Sequence, residues 1–249
     1  TIDCAIALGF EQMTPGALGI LFEDRPNPLM RFYDEMTSLQ GFDESVPWAA
    51  QFFGGAGNEH IKEYGTSVET LAKIRVKASK HASKNPFAIF NKEVSEEEVL
   101  GSPMIFDPLT RLQCCPPSCG SAAAIICSES FAKAHNLSTD IFIAGQSMTT
   151  DYDSTFTDHD MRKVVGYDMA KKAANEVYEE TGISPKDIKV CELHDCFTTN
   201  ELISYEALGL ADEGEAEKFV VDEQNTYGGQ CVTNPVSYTH LTLPTIYSV

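Results

Sequence analysis

The segment ELHDCFTTNELISYEALGL, residues 192–210, carries a histidine, an aspartate and a cysteine in succession, at His194, Asp195 and Cys196. The apolar character of residues 188–193 predicts a strand that ends just before them. In α/β proteins, ligands and chemistry collect beyond the carboxyl ends of strands. The sequence therefore places three titratable side chains where such proteins build their active sites.

A helix is predicted to follow this strand. Thr198 and Glu201 have the spacing of a capping box, and Gly209 supplies a C-terminal stop. The start of a helix offers unpaired N–H groups and a positive dipole end, so we expect a lowered pKa for the Cys196 thiol. We interpret Cys196 and His194 as a reactive pair. The alternative is that Cys196 is core filler and His194 a hydrogen-bonded core histidine.

The rest of the chain has the alternation of an α/β protein. Apolar runs predict a buried strand over residues 4–8 and further strands over 120–127 and 141–151. Helical spacing begins near Asp168 and ends at Gly182. Between the first strand and Pro108 the pattern is irregular, as in an inserted subdomain of short helices and loops.

One helix inside that irregular region is well marked and carries several basic residues. Thr66 and Glu69 form a second candidate capping box before its apolar stripe. Its basic side chains are either a solvated face or a landing site for an anionic ligand such as a phosphorylated cofactor. They are Lys73, Arg75, Lys77 and Lys80.

Composition excludes several classes of protein. The chain has 249 residues and a formal charge of −19, which disfavours nucleic-acid binding. No apolar run is long enough to span a bilayer. Its 8 cysteines are scattered and include no C-x-x-C pair, so we expect free thiols in a reducing compartment and no metal site.

Several motifs make the sequence resemble the sterol carrier protein-2/thiolase family, the peroxisomal 3-ketoacyl-CoA thiolases also called sterol carrier protein X. The tetrapeptide HDCF within HDCFTTNELISYEALGL is specific, since other thiolase classes carry a different tetrapeptide there. The likeness covers nearly all of residues 1–235. It also runs through ALGFEQMTPGALG, FGGAGNEHIKEYGTSVETLAKI, FDPLTRLQCCPPSCGSAAAI, VVGYDMAKKAANEVYEETGISPKDI and NTYGGQCVTNP.

The resemblance implies an α/β, thiolase-like layered αβαβα fold, truncated at both ends. Residues 1–155 would be the remainder of the N-terminal half, with an inserted loop subdomain at about 14–108 that lies over CoA. Residues 160–235 would begin the C-terminal half. The basic side chains at Lys73, Arg75, Lys77 and Lys80 would then contact CoA phosphates.

The resemblance also implies an activity, the thiolytic cleavage of 3-ketoacyl-CoA in fatty-acid and sterol side-chain breakdown. Cys196 would transfer protons, His194 would hold the thioester oxygen, and Asp195 would orient the site. CoA would be a co-substrate, with no permanently bound cofactor. A peroxisomal location and a homodimer are implied as well, with residues 120–127 as a candidate subunit contact.

Two departures from the family pattern lead us to expect that this chain by itself is inactive. The family's nucleophilic cysteine lies upstream of the segment that matches Thr1. After Pro235 the glycine-rich segment ending in Gly-His-Pro is replaced by VSYTHLTLPTIYSV, so His240 receives no role. We interpret residues 236–249 as a non-native read-through tail, because VSYTHLTLPT is a translation of a transposase adapter. Two other hypotheses remain open: a non-catalytic thiolase-like protein that binds acyl-CoA or lipid, and a structural or dimerising module.

Overall fold

The computed structural model describes residues 2–14, 24–86 and 88–236. Most of the interpreted tail, His240 included, lies outside these residues. The strands are β1 (Cys4–Glu11), β2 (Met104–Phe106), β3 (Leu109–Thr110), β4 (Gly120–Cys127), β5 (Val190–Cys191) and β6 (Val232–Thr233). The helices are α1 (Met30–Gln40), α2 (Trp48–Tyr64), α3 (Val68–Ala82), α4 (Glu96–Leu100), α5 (Glu129–Ala134), α6 (Ser154–Thr157), α7 (Met161–Val164), α8 (Tyr167–Thr181), α9 (Thr198–Ala207) and α10 (Ala216–Val221).

The first strand is present but is not buried. β1 pairs antiparallel with β4, from Cys4 opposite Cys127 to Glu11 opposite Gly120. All of β1 is exposed, because a pair of strands alone covers neither of its faces. The prediction of a strand is therefore confirmed, whereas the prediction that it is buried is wrong.

The core nearest the HDC segment is helical. Leu71 and Ile74 of α3 pack with Leu202 and Tyr205 of α9 and with Phe219 of α10. Burying side chains of this size stabilises the fold by roughly 1.5–3 kcal/mol each. Because three helices share this cluster, the start of α9 is fixed relative to α3 by tertiary packing.

Within the predicted insertion, the described residues are more regular than the sequence pattern indicates. The two long helices α2 and α3 dominate this region. The N-cap of α3 is Ser67, which has no side-chain capping bond within its own helix. The predicted capping box of Thr66 and Glu69 is wrong, because Thr66 is buried with its hydroxyl 2.8 Å from Nδ1 of His60.

The elements that follow are partly as predicted. Helix α8 ends before Gly182, whose φ of 70° is the left-handed value that favours glycine. The strand predicted over 141–151 is wrong, because within the described part of the chain these residues have no ladder partner. The strand before the HDC segment is short, and Val190–Cys191 pairs in parallel with Val232–Thr233. Of the helices the structure describes, none is long and apolar enough to cross a membrane.

Candidate active site

The HDC segment lies between β5 and α9, at the junction predicted from the sequence. We call residues 194–197 the junction loop. The N-cap of α9 is Phe197, with extended backbone and no side-chain cap. The predicted capping box of Thr198 and Glu201 is therefore wrong, because both residues lie inside the helix and Glu201 turns toward Lys77 of α3.

The structure brings the three predicted side chains into one loop but gives each a different environment. His194 is exposed, Asp195 is 7% exposed, and Cys196 is half-buried. The backbone carbonyl of His194 accepts a hydrogen bond from the side-chain amide of Asn200, which fastens the loop to the first turn of α9. Only His194 among the three is thus freely accessible to a ligand from solvent.

The expected lowering of the Cys196 pKa is wrong. Burial raises the pKa of this thiol, and the neighbouring Cys115 and Asp195 raise it further. Backbone N–H groups at the helix start oppose these influences but do not overcome them. Cys196 is therefore held as a neutral thiol, which is able to donate a proton.

Two further cysteines, Cys114 and Cys115, lie beside the junction loop and are not among the site residues predicted from the sequence. The backbone N–H of Cys115 donates to the carbonyl of Cys196 at 2.8 Å, and Cys114 lies opposite Phe197 in an antiparallel bridge. Burial raises the pKa of Cys114 to about 12. This segment supplies a wall that limits solvent access to Cys196.

Asp195 has a carboxyl group whose pKa lies well above its ordinary value of 3.8. Burial raises the pKa of its carboxyl to about 8, and the nearby Glu201 adds to this rise. The charge of Lys77 and a hydrogen bond with the Asn234 side chain lower the pKa but do not compensate. The carboxyl group is thus suited to hydrogen bonding rather than to providing a charge.

Asn234 connects the junction loop to β6 and was not singled out from the sequence. Its N–H donates to the carbonyl of Cys191, and its side-chain oxygen accepts from the N–H of Leu193, both at 2.8 Å. Its φ of 48° lies in the left-handed region, where asparagine is better tolerated than most residues. Its only sequence signal is its place in the motif NTYGGQCVTNP, which is one of the motifs that carry the family resemblance.

The basic residues of α3 do not form one exposed face, which corrects the sequence expectation. Arg75 and Lys77 are 5% and 7% exposed, because α3 packs between α9 and α4. Lys73 pairs with Glu96 at 3.2 Å, and Lys80 is exposed. Among the described residues there is no cluster of side chains suited to hold a metal ion.

Known proteins are similar to this chain in sequence and in fold. Sterol carrier protein 2 of Rattus norvegicus is 49% identical over 234 residues, which cover 94% of this chain and 43% of that protein. The chain belongs to the sterol carrier protein 2/thiolase-like family. A family profile described as thiolase C-terminal domain-like matches residues 152–243, which include the junction loop.

The chain is also similar in sequence to an enzyme subunit and in fold to a solved structure. Benzoylsuccinyl-CoA thiolase subunit BbsB of Thauera aromatica is 40% identical over 185 residues, or 73% of this chain and 47% of that subunit. The structure titled Ltp2-ChsH2(DUF35) aldolase has a TM-score of 0.74 at 24% identity, covering 94% of this chain and 58% of that one. The predicted thiolase-like α/β fold is confirmed. The chain spans less than half the length of sterol carrier protein 2.

Proposed function

We propose that this chain contributes the proton-transfer loop of an acyl-CoA C-acyltransferase of the thiolase type. The reaction is cleavage of 3-ketoacyl-CoA with CoA, in fatty-acid and sterol side-chain β-oxidation. The observation that supports it is the junction loop, where an exposed histidine, a neutral buried carboxyl and a half-buried neutral thiol adjoin. Named relatives that act on CoA thioesters are consistent with this reaction.

Each side chain of the loop has a chemical role in the proposal. When the acyl group passes to a nucleophilic thiol of the whole protein, the bond between Cα and Cβ of the substrate breaks and a carbanion leaves. Cys196 donates its proton to that carbanion, and the resulting thiolate takes a proton from the incoming CoA thiol. His194 donates a hydrogen bond to the thioester oxygen as negative charge develops there. Asp195 orients the loop through Asn234.

The proposal also assigns the CoA phosphate contacts, according to which basic residues of α3 are accessible to solvent. Lys80 is exposed, and Lys73 is partly exposed beside Glu96, so these two are the residues of α3 that we assign to CoA phosphates. Arg75 and Lys77 are too buried for that contact. We also propose a peroxisomal location and a homodimeric full-length protein, with CoA and 3-ketoacyl-CoA as its small-molecule partners.

Replacement of the proposed proton donor tests the function. In the full-length protein that contains this chain, Cys196→Ala should lower kcat for thiolysis by about 10²–10⁴, the usual contribution of a positioned proton-transfer group. Cys119→Ala, at an exposed cysteine outside the junction loop, should leave kcat unchanged. Steady-state release of acyl-CoA products measures both. A normal rate for Cys196→Ala would remove this thiol from the mechanism.

A second candidate function is acyl-CoA or lipid binding without cleavage. The raised pKa of Cys196 favours it, because a half-buried neutral thiol also fits a site that performs no chemistry. It predicts that the full-length protein binds a 3-ketoacyl-CoA without turnover, and that Cys196→Ala leaves the dissociation constant unchanged. Isothermal titration with the substrate, followed by product analysis, separates the two candidates.

A further inference from the structure

Lys77 occupies an unusual position for a lysine of so acidic a protein. It is 7% exposed, and its ammonium group reaches from α3 to α9 and to β6. Nζ donates to the carboxylate of Glu201, to Oγ1 of Thr233 at 2.9 Å and to the Thr233 carbonyl at 3.1 Å. All three N–H donors are therefore used. A buried cation is tolerated only when its partners compensate for lost hydration.

The carboxylate of Glu201 is enclosed by further polar groups. Glu201 is fully buried, and the same oxygen that faces Lys77 accepts from the hydroxyl of Tyr205 at 2.5 Å. The side-chain amide of Asn225 in turn donates to that hydroxyl at 2.9 Å. The network is thus sealed in the protein and offers no surface to a phosphate group.

This network flanks the junction loop on both sides. Glu201 lies in the first turn of α9, directly after the loop. Thr233 precedes Asn234, whose side chain accepts from the N–H of Leu193 just before the loop and lowers the pKa of Asp195 within it. One ammonium group therefore ties α9, which follows the loop, to β6, which pairs with the strand β5 before the loop.

We propose that Lys77 is a positioning residue for the junction loop. By binding Glu201 and Thr233 together, it holds α9 against the segment of Asn234 and keeps the thiol of Cys196 in its half-buried place. The inference rests on the proposed function, in that it takes Cys196 as the reacting thiol. It assigns Lys77 a role that differs from the phosphate contact implied by the family resemblance.

Site-specific alkylation tests the positioning. In this chain, Lys77→Met should raise the iodoacetamide labelling rate of Cys196 by about tenfold relative to that of Cys127, because breaking a buried ion pair eases local opening. Glu201→Gln should raise the same ratio. Peptide mass spectrometry measures both cysteines in the same sample, and Cys127 on β4, outside the helical core, corrects for differences in reagent concentration and reaction time.

A matched variant on the same helix separates positioning from general loss of stability. Glu206 is also buried in α9 and also bonded, to Nε2 of His60 at 3.0 Å and to the N–H of Ala216 at 3.1 Å. Glu206→Gln should leave the ratio near that of wild type. The proposal is overturned if folded Lys77→Met keeps the wild-type ratio, or if Glu206→Gln raises the ratio equally.

Two further measurements keep the test decisive. Should Lys77→Met not fold, Thr233→Val removes the hydroxyl contact at nearly constant volume and must raise the same ratio. In the full-length protein, Lys77→Met should lower kcat with the KM for CoA unchanged; a raised KM with unchanged kcat would instead indicate a phosphate contact. An absence of thiolase activity in the full-length protein would refute the proposed function. The labelling ratio would still decide whether Lys77 positions the loop, because alkylation of Cys196 does not depend on turnover.

Discussion

At Asp195 opposing influences act on one carboxyl group. Burial and the nearby Glu201 favour the protonated form, whereas Lys77 and Asn234 favour the charged form. Burial prevails, and the pKa rises from 3.8 to about 8. Between these two values the folded chain holds a proton that the unfolded chain has released. The free energy of unfolding must therefore fall as the pH rises through this range.

This linkage predicts a pH dependence that is specific to Asp195. From about pH 4 to pH 8 the group should lower the free energy of unfolding by up to about 1.4 kcal/mol per pH unit. Asp195→Asn mimics the protonated acid and should flatten that part of the profile. Urea unfolding at pH 5, 6, 7 and 8 measures it, with the exposed Asp212→Asn as control. Parallel profiles for wild type and Asp195→Asn would contradict the assignment.

The place of the HDC triplet was predictable from the sequence, whereas its electrostatics were not. The strand and helix on either side are local patterns, and both are present. Burial sets the direction of the Cys196 pKa shift, and Cys115, which is distant in sequence and adjacent in space, adds to the rise. In the same way, Glu201 has capping-box spacing from Thr198, but Lys77 of another helix takes its carboxylate. Tertiary contacts of this kind override local spacing.

At the level of elements, the sequence pattern predicts a helix correctly where residues of the same stretch of chain determine its ends. Helix α8 was predicted because its apolar spacing and Gly182 both lie within one stretch of chain. The start of α3 was misplaced because Thr66 bonds to His60 of α2 instead of capping its own helix. The run of apolar residues at 141–143 indicated a strand, but a strand exists only with a partner. Pairing is not visible in a single segment.

The helical core and the β1–β4 pair should respond very differently to the same substitution. Leu202→Ala removes a side chain that is 1% exposed in the cluster of α3, α9 and α10, and should cost about 2–5 kcal/mol of unfolding free energy. Leu8→Ala, at a position in β1 that is 64% exposed, should change it by less than about 0.5 kcal/mol. Urea unfolding monitored by circular dichroism at 222 nm compares them. Equal costs would show that the core lies elsewhere.

At the scale of the whole molecule, β1 and β4 carry exposed apolar side chains in a chain of net charge −19. Ile6 and Phe10 of β1 are 69% and 78% exposed, and Ile125 of β4 is 71% exposed. Ile6 lies opposite Ile125 in the ladder, and neighbouring exposed apolar side chains of this kind are typical of an interaction surface. It includes residues 120–127, the candidate subunit contact implied by the family resemblance, so we propose these strands as the contact of the proposed homodimer.

A charge introduced on β4 tests that place. In the full-length protein, Ile125→Glu should raise the dissociation constant of the dimer by about tenfold or more. Each subunit would then bury one unpaired carboxylate in the apolar contact. Ile141→Glu, 59% exposed and outside both strands, should leave the constant unchanged. Sedimentation equilibrium measures the constant, and circular dichroism confirms that both variants are folded. An unchanged dimer dissociation constant in folded Ile125→Glu would place the subunit contact away from β4, because burying an unpaired charge in an apolar interface is strongly unfavourable.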